Sequence, residues 1–327
     1  MSFSGLPSLL PSLPSHVAAQ IQAGLSQREQ AYRGRFAPSP TGALHRGNLR
    51  TALLSWLEAR LHGGEWLLRL DDLDTPRNRG GAAEAIQADL QWLGLDWDGP
   101  VIWQSQRRGL YATVLSALRR EGLLYPCRCS RRLLADISAP HGSSPVYPGF
   151  CRGGSQGWGV VDQRLPSWRM RVPRGRLQWR ERYGGAGDVD GPEAVGDVVL
   201  RRADGFLAYH LATAVDELTL GISDVLRGDD LWSSTAAQVA VMARLGVAPP
   251  RYGHVPLWRD ASGHRLCKRE GSDGLADYRS RGFTPAAVIG AMAASAGLVP
   301  QGSELGAQDL LAELNRRAVE CCIRAGF

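Results

Sequence analysis

Residues 35–48 read Arg-Phe-Ala-Pro-Ser-Pro-Thr-Gly-Ala-Leu-His-Arg-Gly-Asn and connect a short apolar strand to an amphipathic helix. Glycine and proline favour a loop here, whereas the apolar residues that follow recur at helical spacing as far as Arg60, namely Leu49, Ala52, Leu53, Trp56 and Leu57. A strand, a loop and a helix in this order open a doubly wound parallel sheet. Because the N–H groups at a helix start carry partial positive charge, we predict that His45, Gly47 and Asn48 bind the phosphates of a nucleotide.

The segments that follow extend this α/β pattern along the chain. Gly63 and Gly64 separate the first helix from a strand predicted over 65–70. Further helices are predicted over 81–93, 108–121, 234–245, 285–296 and 307–324, and short antiparallel strands over 168–172 and 178–182. We therefore expect a flexible extension over 1–32, the first half of a nucleotide-binding domain over 33–124, an inserted subdomain over 125–195, the second half over 196–272 and a short helical region over 273–327.

Composition limits the class of protein. The 327 residues, 44% of them hydrophobic, are enough for one large or two ordinary domains with proper cores. A net charge of +6 suits a polyanionic partner without requiring one. We expect no membrane association, because the sequence contains no apolar run of about 18 residues. The six cysteines are clustered rather than spaced as a disulfide framework, which predicts a reducing, cytoplasmic setting.

A group of cysteines in the inserted subdomain predicts a metal site. Cys127, Cys129 and Cys151, with Tyr147 between them, offer thiolates and a phenolate within a short stretch. Zinc takes four tetrahedral ligands, and a structural site is closed by protein groups alone. The alternative interpretation is a set of buried free cysteines, and the residues by themselves leave both open.

Charged residues also follow two apolar strands, where ligand crevices open in doubly wound sheets. Asp71 comes directly after the strand over 65–70, where a carboxylate can bind an ammonium group or merely cap the next helix. Arg227 stands between an apolar segment and a glycine, where a guanidinium can bind a carboxylate with two parallel hydrogen bonds. It can equally be a surface arginine paired with Asp229 or Asp230, and Tyr209 can be an ordinary core residue.

A basic, glycine-bounded loop lies late in the chain, over residues 263–271. A lysine on a mobile loop, here Lys268, can stabilise charge that grows on a pyrophosphate leaving group. Exposed basic loops are also common without any such role.

Taken in order, these motifs resemble the class I aminoacyl-tRNA synthetases, and within them the glutamyl-tRNA synthetase branch, over roughly residues 33–272. The string over 35–48 is similar to the HIGH-type signature in the form found in the glutamate branch, and 263–271 resembles the KMSKS-type loop. The resemblance implies a doubly wound, Rossmann-like (HUP) nucleotide-binding fold with an inserted zinc-binding subdomain. It also implies activation of L-glutamate by ATP, with Mg²⁺ bridging phosphate oxygens, and one structural zinc ion.

The resemblance also implies roles for individual residues. Arg227 would bind the side-chain carboxylate of glutamate, and Asp71 stands where the family has a glutamate residue. Arg265 and Cys267 replace the lysine and serine usual in the KMSKS-type loop. The full assignment gives glutamate binding to Arg35, Phe36, Ala37, Pro38, Ser39, Asp71, Tyr209 and Arg227, ATP binding to His45, Gly47, Asn48 and Lys268, catalysis to Lys268 and His45, and zinc binding to Cys127, Cys129, Tyr147 and Cys151.

The segment after the loop suggests which branch member the chain resembles. Residues 272–327 are too few for the helical anticodon-binding region of a full glutamyl-tRNA synthetase. The chain is therefore similar to the truncated paralogues, the glutamyl-queuosine tRNA(Asp) synthetases, and the cysteine and tyrosine pattern agrees with them. These activate glutamate without needing tRNA and transfer it to a hydroxyl of the queuosine cyclopentenediol in tRNA(Asp). Two alternative functions stay open: a discriminating glutamyl-tRNA synthetase that charges tRNA(Glu), and a non-catalytic RNA-binding paralogue. We expect the protein to be a monomer.

Overall fold

The fold was examined in a computed structural model, which describes residues 8–130, 133, 146–154, 156–183, 185–256 and 274–324. The helices in chain order are α1 (Ser15–Gln30), α2 (Arg46–Leu61), α3 (Ala82–Trp92), α4 (Arg108–Arg120), α5 (Gly191–Ala194), α6 (Tyr209–Thr219), α7 (Trp232–Leu245), α8 (Leu275–Ser280), α9 (Pro285–Ser295) and α10 (Ala307–Arg324). The strands are β1 (Arg33–Phe36), β2 (Glu65–Leu70), β3 (Ile102–Trp103), β4 (Leu124–Cys127), β5 (Ser167–Met170), β6 (Arg176–Arg180), β7 (Ala186–Asp190), β8 (Val198–Arg201), β9 (Asp224–Gly228) and β10 (Arg251–Val255).

The chain divides into two compact units. The first unit takes the described residues of Met1–Glu29, Gln104–Ile222 and Asp230–Gly253, and the second unit takes those of Gln30–Trp103, Ser223–Asp229 and His254–Phe327. This division differs from the predicted domain ranges, since the segments that flank the insertion group with it. One physical reason is Asp216 on α6, whose fully buried carboxylate accepts hydrogen bonds from Gln104, Arg107 and Tyr111 and so joins α6 to the start of α4.

The second unit contains the predicted parallel sheet. β2 lies between β1 and β3, both parallel to it, and α2 and α3 make the connections. Every residue of β2 after Glu65 is buried, as expected of a strand covered on both faces. The indole of Trp66 on β2 donates a 2.9 Å hydrogen bond to the Ser55 hydroxyl on α2. The α/β class with β–α–β connections is thus confirmed.

Helices α8 to α10 share the hydrophobic core of the second unit. Leu275, Ile289 and Leu310 are fully buried in the same cluster as Trp56 of α2 and Leu68 of β2. The predicted C-terminal helical region therefore packs within this core.

The predicted helix over 49–60 begins at Arg46 instead, because the His45 side chain caps it.

The first unit is built from antiparallel strands and helices. β5 pairs with β4 and β8, and β6 pairs with β7 as a hairpin. Contrary to the flexible extension expected over 1–32, α1 lies in this unit with Val17 and Ile21 fully buried. Its close packing depends on Gly24, where a Cβ would lie 2.0 Å from the Leu218 carbonyl oxygen. A search of the described helices for one long and apolar enough to cross a membrane finds none.

Candidate functional site

The start of α2 is organised around the His45 imidazole, in the second unit. Its Nδ1 accepts a 3.3 Å hydrogen bond from the Asn48 backbone N–H, so in the neutral ring Nε2 carries the proton and is a donor. A Cβ at Gly47 would lie 3.1 Å from the ring Cε1, so glycine gives the imidazole its room. The backbone N–H groups of this first turn and the His45 donor form a surface suited to an anion.

The carboxyl end of β2 lies beside the loop that leads to α2. The Asp71 N–H donates a 3.0 Å bond to the Pro38 carbonyl, which joins the two segments. The buried Asp71 carboxylate accepts hydrogen bonds of 2.7 and 3.2 Å from the fully buried Arg69 guanidinium. Each carboxylate oxygen has a second lone pair, so the arrangement is compatible with an additional ammonium donor. Binding of the glutamate ammonium by Asp71 stays a prediction.

Two buried arginines form a cationic surface on β1 and β9. Arg35 and Arg227 are only 4% and 3% exposed. The Arg35 side chain donates a 3.3 Å bond to the Leu226 carbonyl, and Arg227 Nε donates a 3.4 Å bond to Nε2 of His254 on β10. Burial, followed by the charges of Arg227 and Arg35, lowers the pKa of His254 to about 3. The imidazole is therefore neutral at physiological pH and adds no charge to this surface.

Of the other predicted contacts, Phe36 and Pro38 are buried, Ala37 is half-buried and Ser39 is exposed. Tyr209 is the first residue of α6 in the first unit, 36% exposed, with its ring 5.6 Å from that of His210. It stays a predicted glutamate contact. Lys268, together with Arg265 and Cys267, lies outside the described residues.

The predicted zinc ligands of the first unit come together at the end of β4. The sulfur atoms of Cys127, Cys129 and Cys151 all lie within 4.8 Å of one another, with 3.6 Å between the last two. The Tyr147 hydroxyl lies 3.5 Å from the Cys127 sulfur and 3.6 Å from the Cys129 sulfur. Sulfur atoms about 2.3 Å from a tetrahedral ion lie about 3.8 Å apart, so this donor set fits one metal ion.

Burial and hydrogen bonds act in opposite directions on the pKa values of the thiols in the sulfur cluster. Burial raises the pKa of Cys129 to about 11. Burial also acts against ionisation of Cys151, but hydrogen bonds from the Tyr147 hydroxyl and the Arg128 N–H outweigh it and lower the pKa of that thiol. Arg169 Nε donates a 3.3 Å bond to the Cys127 sulfur, and its guanidinium lies 3.8 Å from the centre of the Tyr147 ring. Three thiolates around a divalent ion would leave an excess negative charge, which this cation would offset.

A buried carboxylate, Asp197, fixes the frame that supports this cluster. Arg152, next to Cys151, donates two 2.7 Å hydrogen bonds to it, and the Val172 N–H donates one of 2.9 Å. The Tyr125 hydroxyl on β4 donates another. Burial acts to raise the pKa of Asp197, but the bonds from Arg152 and Tyr125 outweigh it and lower that pKa.

The sequence predicts no role for His254, Arg169 or Asp197. Their partners are distant in the chain, as when Arg169 donates a 2.7 Å bond to the Asp197 carbonyl. A weak signal was present for His254, which stands near the end of a short strand as other site residues do. No local pattern marks the other two.

Comparisons with known proteins identify relatives over most of the chain. Residues 31–307 match the family described as "tRNA synthetases class I (E and Q), catalytic domain". The chain is 58% identical over 305 residues to a glutamyl-Q tRNA(Asp) synthetase of Prochlorococcus marinus (strain MIT 9303), covering 93% of this chain and 95% of that one. It is 47% identical over 266 residues to a Deinococcus radiodurans protein of that name, with coverages of 80% and 87%.

A solved structure shares the fold. The crystal structure of a glutamate tRNA ligase from Elizabethkingia meningosepticum in complex with its amino acid superposes with a TM-score of 0.70 at 26% identity. The match covers 86% of this chain and 64% of that ligase. The present chain therefore corresponds to somewhat less than two thirds of the ligase.

The hydrogen bonds of Asp197 predict a large stability effect. In Asp197→Asn an amide N–H₂ would face the donors Arg152 and Tyr125, so we expect the free energy of unfolding in urea to fall by about 2–4 kcal/mol. Because the folded-state pKa is lowered, the loss should be full at neutral pH and disappear as the pH falls through that pKa. Asp204→Asn, which alters a half-exposed pair with Arg202, should cost less than about 1 kcal/mol. Equal losses would contradict a supporting role for Asp197.

Proposed function

The chain belongs to the class I glutamyl- and glutaminyl-tRNA synthetase family, and from this premise we propose that it is a ligase that activates L-glutamate with ATP and transfers it to the queuosine base of tRNA(Asp). The observation that carries this proposal is the 58% identity, over nearly the whole length of both chains, to a protein named for that activity. We propose a cytoplasmic location, since the substrates tRNA and ATP are present in the cytoplasm.

In the first step the α-carboxylate of glutamate attacks the α-phosphate of ATP, giving glutamyl-adenylate and releasing pyrophosphate. The nucleophile is already ionised, so no general base is required, and positioning and electrostatics supply the rate. His45, Gly47 and Asn48 at the start of α2 would hold the phosphates, whose negative charge Mg²⁺ would partly neutralise. Lys268 would stabilise charge on the leaving pyrophosphate.

Glutamate selection is assigned to the cationic surface of the second unit. Arg227 would bind the side-chain carboxylate, and Arg35 adds positive charge to the same surface. Glutamine carries a neutral amide that cannot pair equally well with a buried guanidinium, so it should be rejected. This preference for a carboxylate is what the buried charges support.

We also propose that Cys127, Cys129, Tyr147 and Cys151 hold one zinc ion. All four ligands come from the protein, so the ion would be structural and would supply no chemistry to the reaction. Cys127 lies at the end of β4, whereas Tyr147 and Cys151 follow much later in the chain. An ion bound by all of them would cross-link these segments of the first unit.

Transfer of labelled glutamate tests the function and separates it from the alternatives. We expect label to enter tRNA from wild-type cells but not tRNA from cells that lack queuosine, because the accepting hydroxyl belongs to that base. Equal labelling of both, located on tRNA(Glu), would indicate a discriminating glutamyl-tRNA synthetase. Absence of both transfer and glutamate-dependent ATP–pyrophosphate exchange would indicate a non-catalytic paralogue.

Removal of the Arg227 guanidinium should abolish glutamate recognition. We expect Arg227→Ala to lower kcat/KM for glutamate in ATP–pyrophosphate exchange by at least about 100-fold, since two charge-assisted hydrogen bonds are lost. Arg281→Ala, which removes a half-exposed side chain on the surface of the same unit, is the control and should behave as wild type. Near-normal exchange in Arg227→Ala would disprove the assignment of this residue.

Metal content tests the sulfur cluster. We expect about one zinc per chain by elemental analysis, close to none in Cys127→Ser, and a normal amount in Cys322→Ser, which alters a cysteine far from these four ligands in the sequence. Zinc affinity should fall as the pH is lowered, by about tenfold per unit for each proton released, because Cys129 must lose its proton to bind. Chelation should lower Tm, and a zinc-free protein of unchanged Tm would argue against a structural ion.

A further inference from the structure

His254 is a neutral side chain that contacts the Arg227 guanidinium of the cationic surface. It lies near the end of β10, where its Nε2 accepts the 3.4 Å hydrogen bond from Arg227 Nε. Arg35 adds a second guanidinium nearby and is itself directed by the Leu226 carbonyl, one residue before Arg227. The imidazole therefore lies near the charges of both arginines and contacts Arg227, the residue proposed to bind the substrate glutamate.

The protonation state of His254 follows from these surroundings. Burial, then the charges of Arg227 and Arg35, lowers its pKa to about 3, so the ring is neutral under any ordinary assay condition. A neutral ring that accepts at Nε2 carries its proton on Nδ1. A doubly protonated ring would offer no lone pair to Arg227 and would add a third positive charge.

The place of this hydrogen bond on the guanidinium matters for binding. A guanidinium is planar, and it binds a carboxylate with two parallel bonds only when its plane faces that carboxylate correctly. An acceptor at Nε fixes the rotation of that plane at one end of the group. The terminal NH1–NH2 edge, at the other end, is then directed along one line.

The second unit provides a comparison. Arg69, also buried, is held at Nε and NH2 by the Asp71 carboxylate, an arrangement that orients the guanidinium and neutralises it. A carboxylate in the place of His254 would likewise cancel charge that a glutamate carboxylate needs for its attraction. An imidazole orients Arg227 at this contact without adding negative charge.

We propose that His254 is a positioning residue for glutamate selection: by accepting the Nε–H bond of Arg227 without neutralising it, the imidazole fixes the plane in which that guanidinium receives the side-chain carboxylate. This inference rests on the proposed function, because it requires that Arg227 bind glutamate. His254 does not touch the reacting atoms. Its effect should therefore fall on the KM for glutamate and on rejection of glutamine, while kcat and the KM for ATP stay close to wild type.

Glutamate-dependent ATP–pyrophosphate exchange tests the proposal with three variants. His254→Phe keeps a planar ring but has no acceptor, and we expect its KM for glutamate to rise at least about tenfold with kcat and the KM for ATP within about twofold. His254→Gln restores a neutral acceptor and should recover most of the affinity lost in His254→Phe. His254→Glu has the same shape as His254→Gln but is charged, so it should remain impaired.

The outcomes separate the inference from the function. Wild-type affinity for glutamate in His254→Phe, or no difference between His254→Gln and His254→Glu, would overturn the positioning role while wild-type exchange left the function standing. A parallel loss of kcat and ATP affinity in all three variants would also overturn it, since that pattern indicates packing alone. Absence of glutamate-dependent exchange in the wild type would overturn the function and the inference together.

Discussion

Burial of positive charge is the constraint on which the candidate substrate surface depends. Removing a guanidinium from water is costly unless the fold supplies hydrogen-bond acceptors. The second unit supplies a backbone carbonyl to Arg35 and a neutral imidazole to Arg227. Neither of these acceptors carries a negative charge, so neither offsets the positive charge of its arginine. By contrast Arg69, which carries no proposed ligand, is held by a carboxylate.

In the first unit the buried charge is negative, and it too is stabilised by hydrogen-bond partners that the fold supplies. Asp197 is 2% exposed and is satisfied by donors from three separate segments, carried by Tyr125, Arg152 and Val172. Arg169 links Asp197 to the sulfur cluster, because its guanidinium donates hydrogen bonds to both the Asp197 backbone carbonyl and the Cys127 sulfur. A metal site assembled from distant cysteines requires such a frame, because each ligand must be held in place before an ion binds.

The sequence predicted most regular elements because their periodicity is local. The strand over 65–70 and the helix over 307–324 have the predicted bounds, whereas α2 begins earlier than predicted, at Arg46, because the His45 side chain caps it. Helix α1 replaces the flexible extension that its leucine-, proline- and serine-rich segment predicts, although Val17 and Ile21 do have helical spacing. The close approach of Gly24 to Leu218, which packs that helix, is not visible in local sequence.

The sequence by itself determined the parallel α/β class, the helix start that suits phosphates, and the identity of the residues proposed to bind glutamate and metal. The class, the helix start and the candidate metal ligands follow from residue types at short spacing, whereas the glutamate-binding assignment follows from the resemblance of the ordered motifs to the glutamyl-tRNA synthetase branch. Only the tertiary structure decided that the cysteine sulfurs lie within 4.8 Å of one another, that Arg35 and Arg227 are buried rather than exposed to solvent, and that His254 is neutral beside them. Burial and electrostatic environment are set by segments far apart in the chain, so no local pattern can specify them.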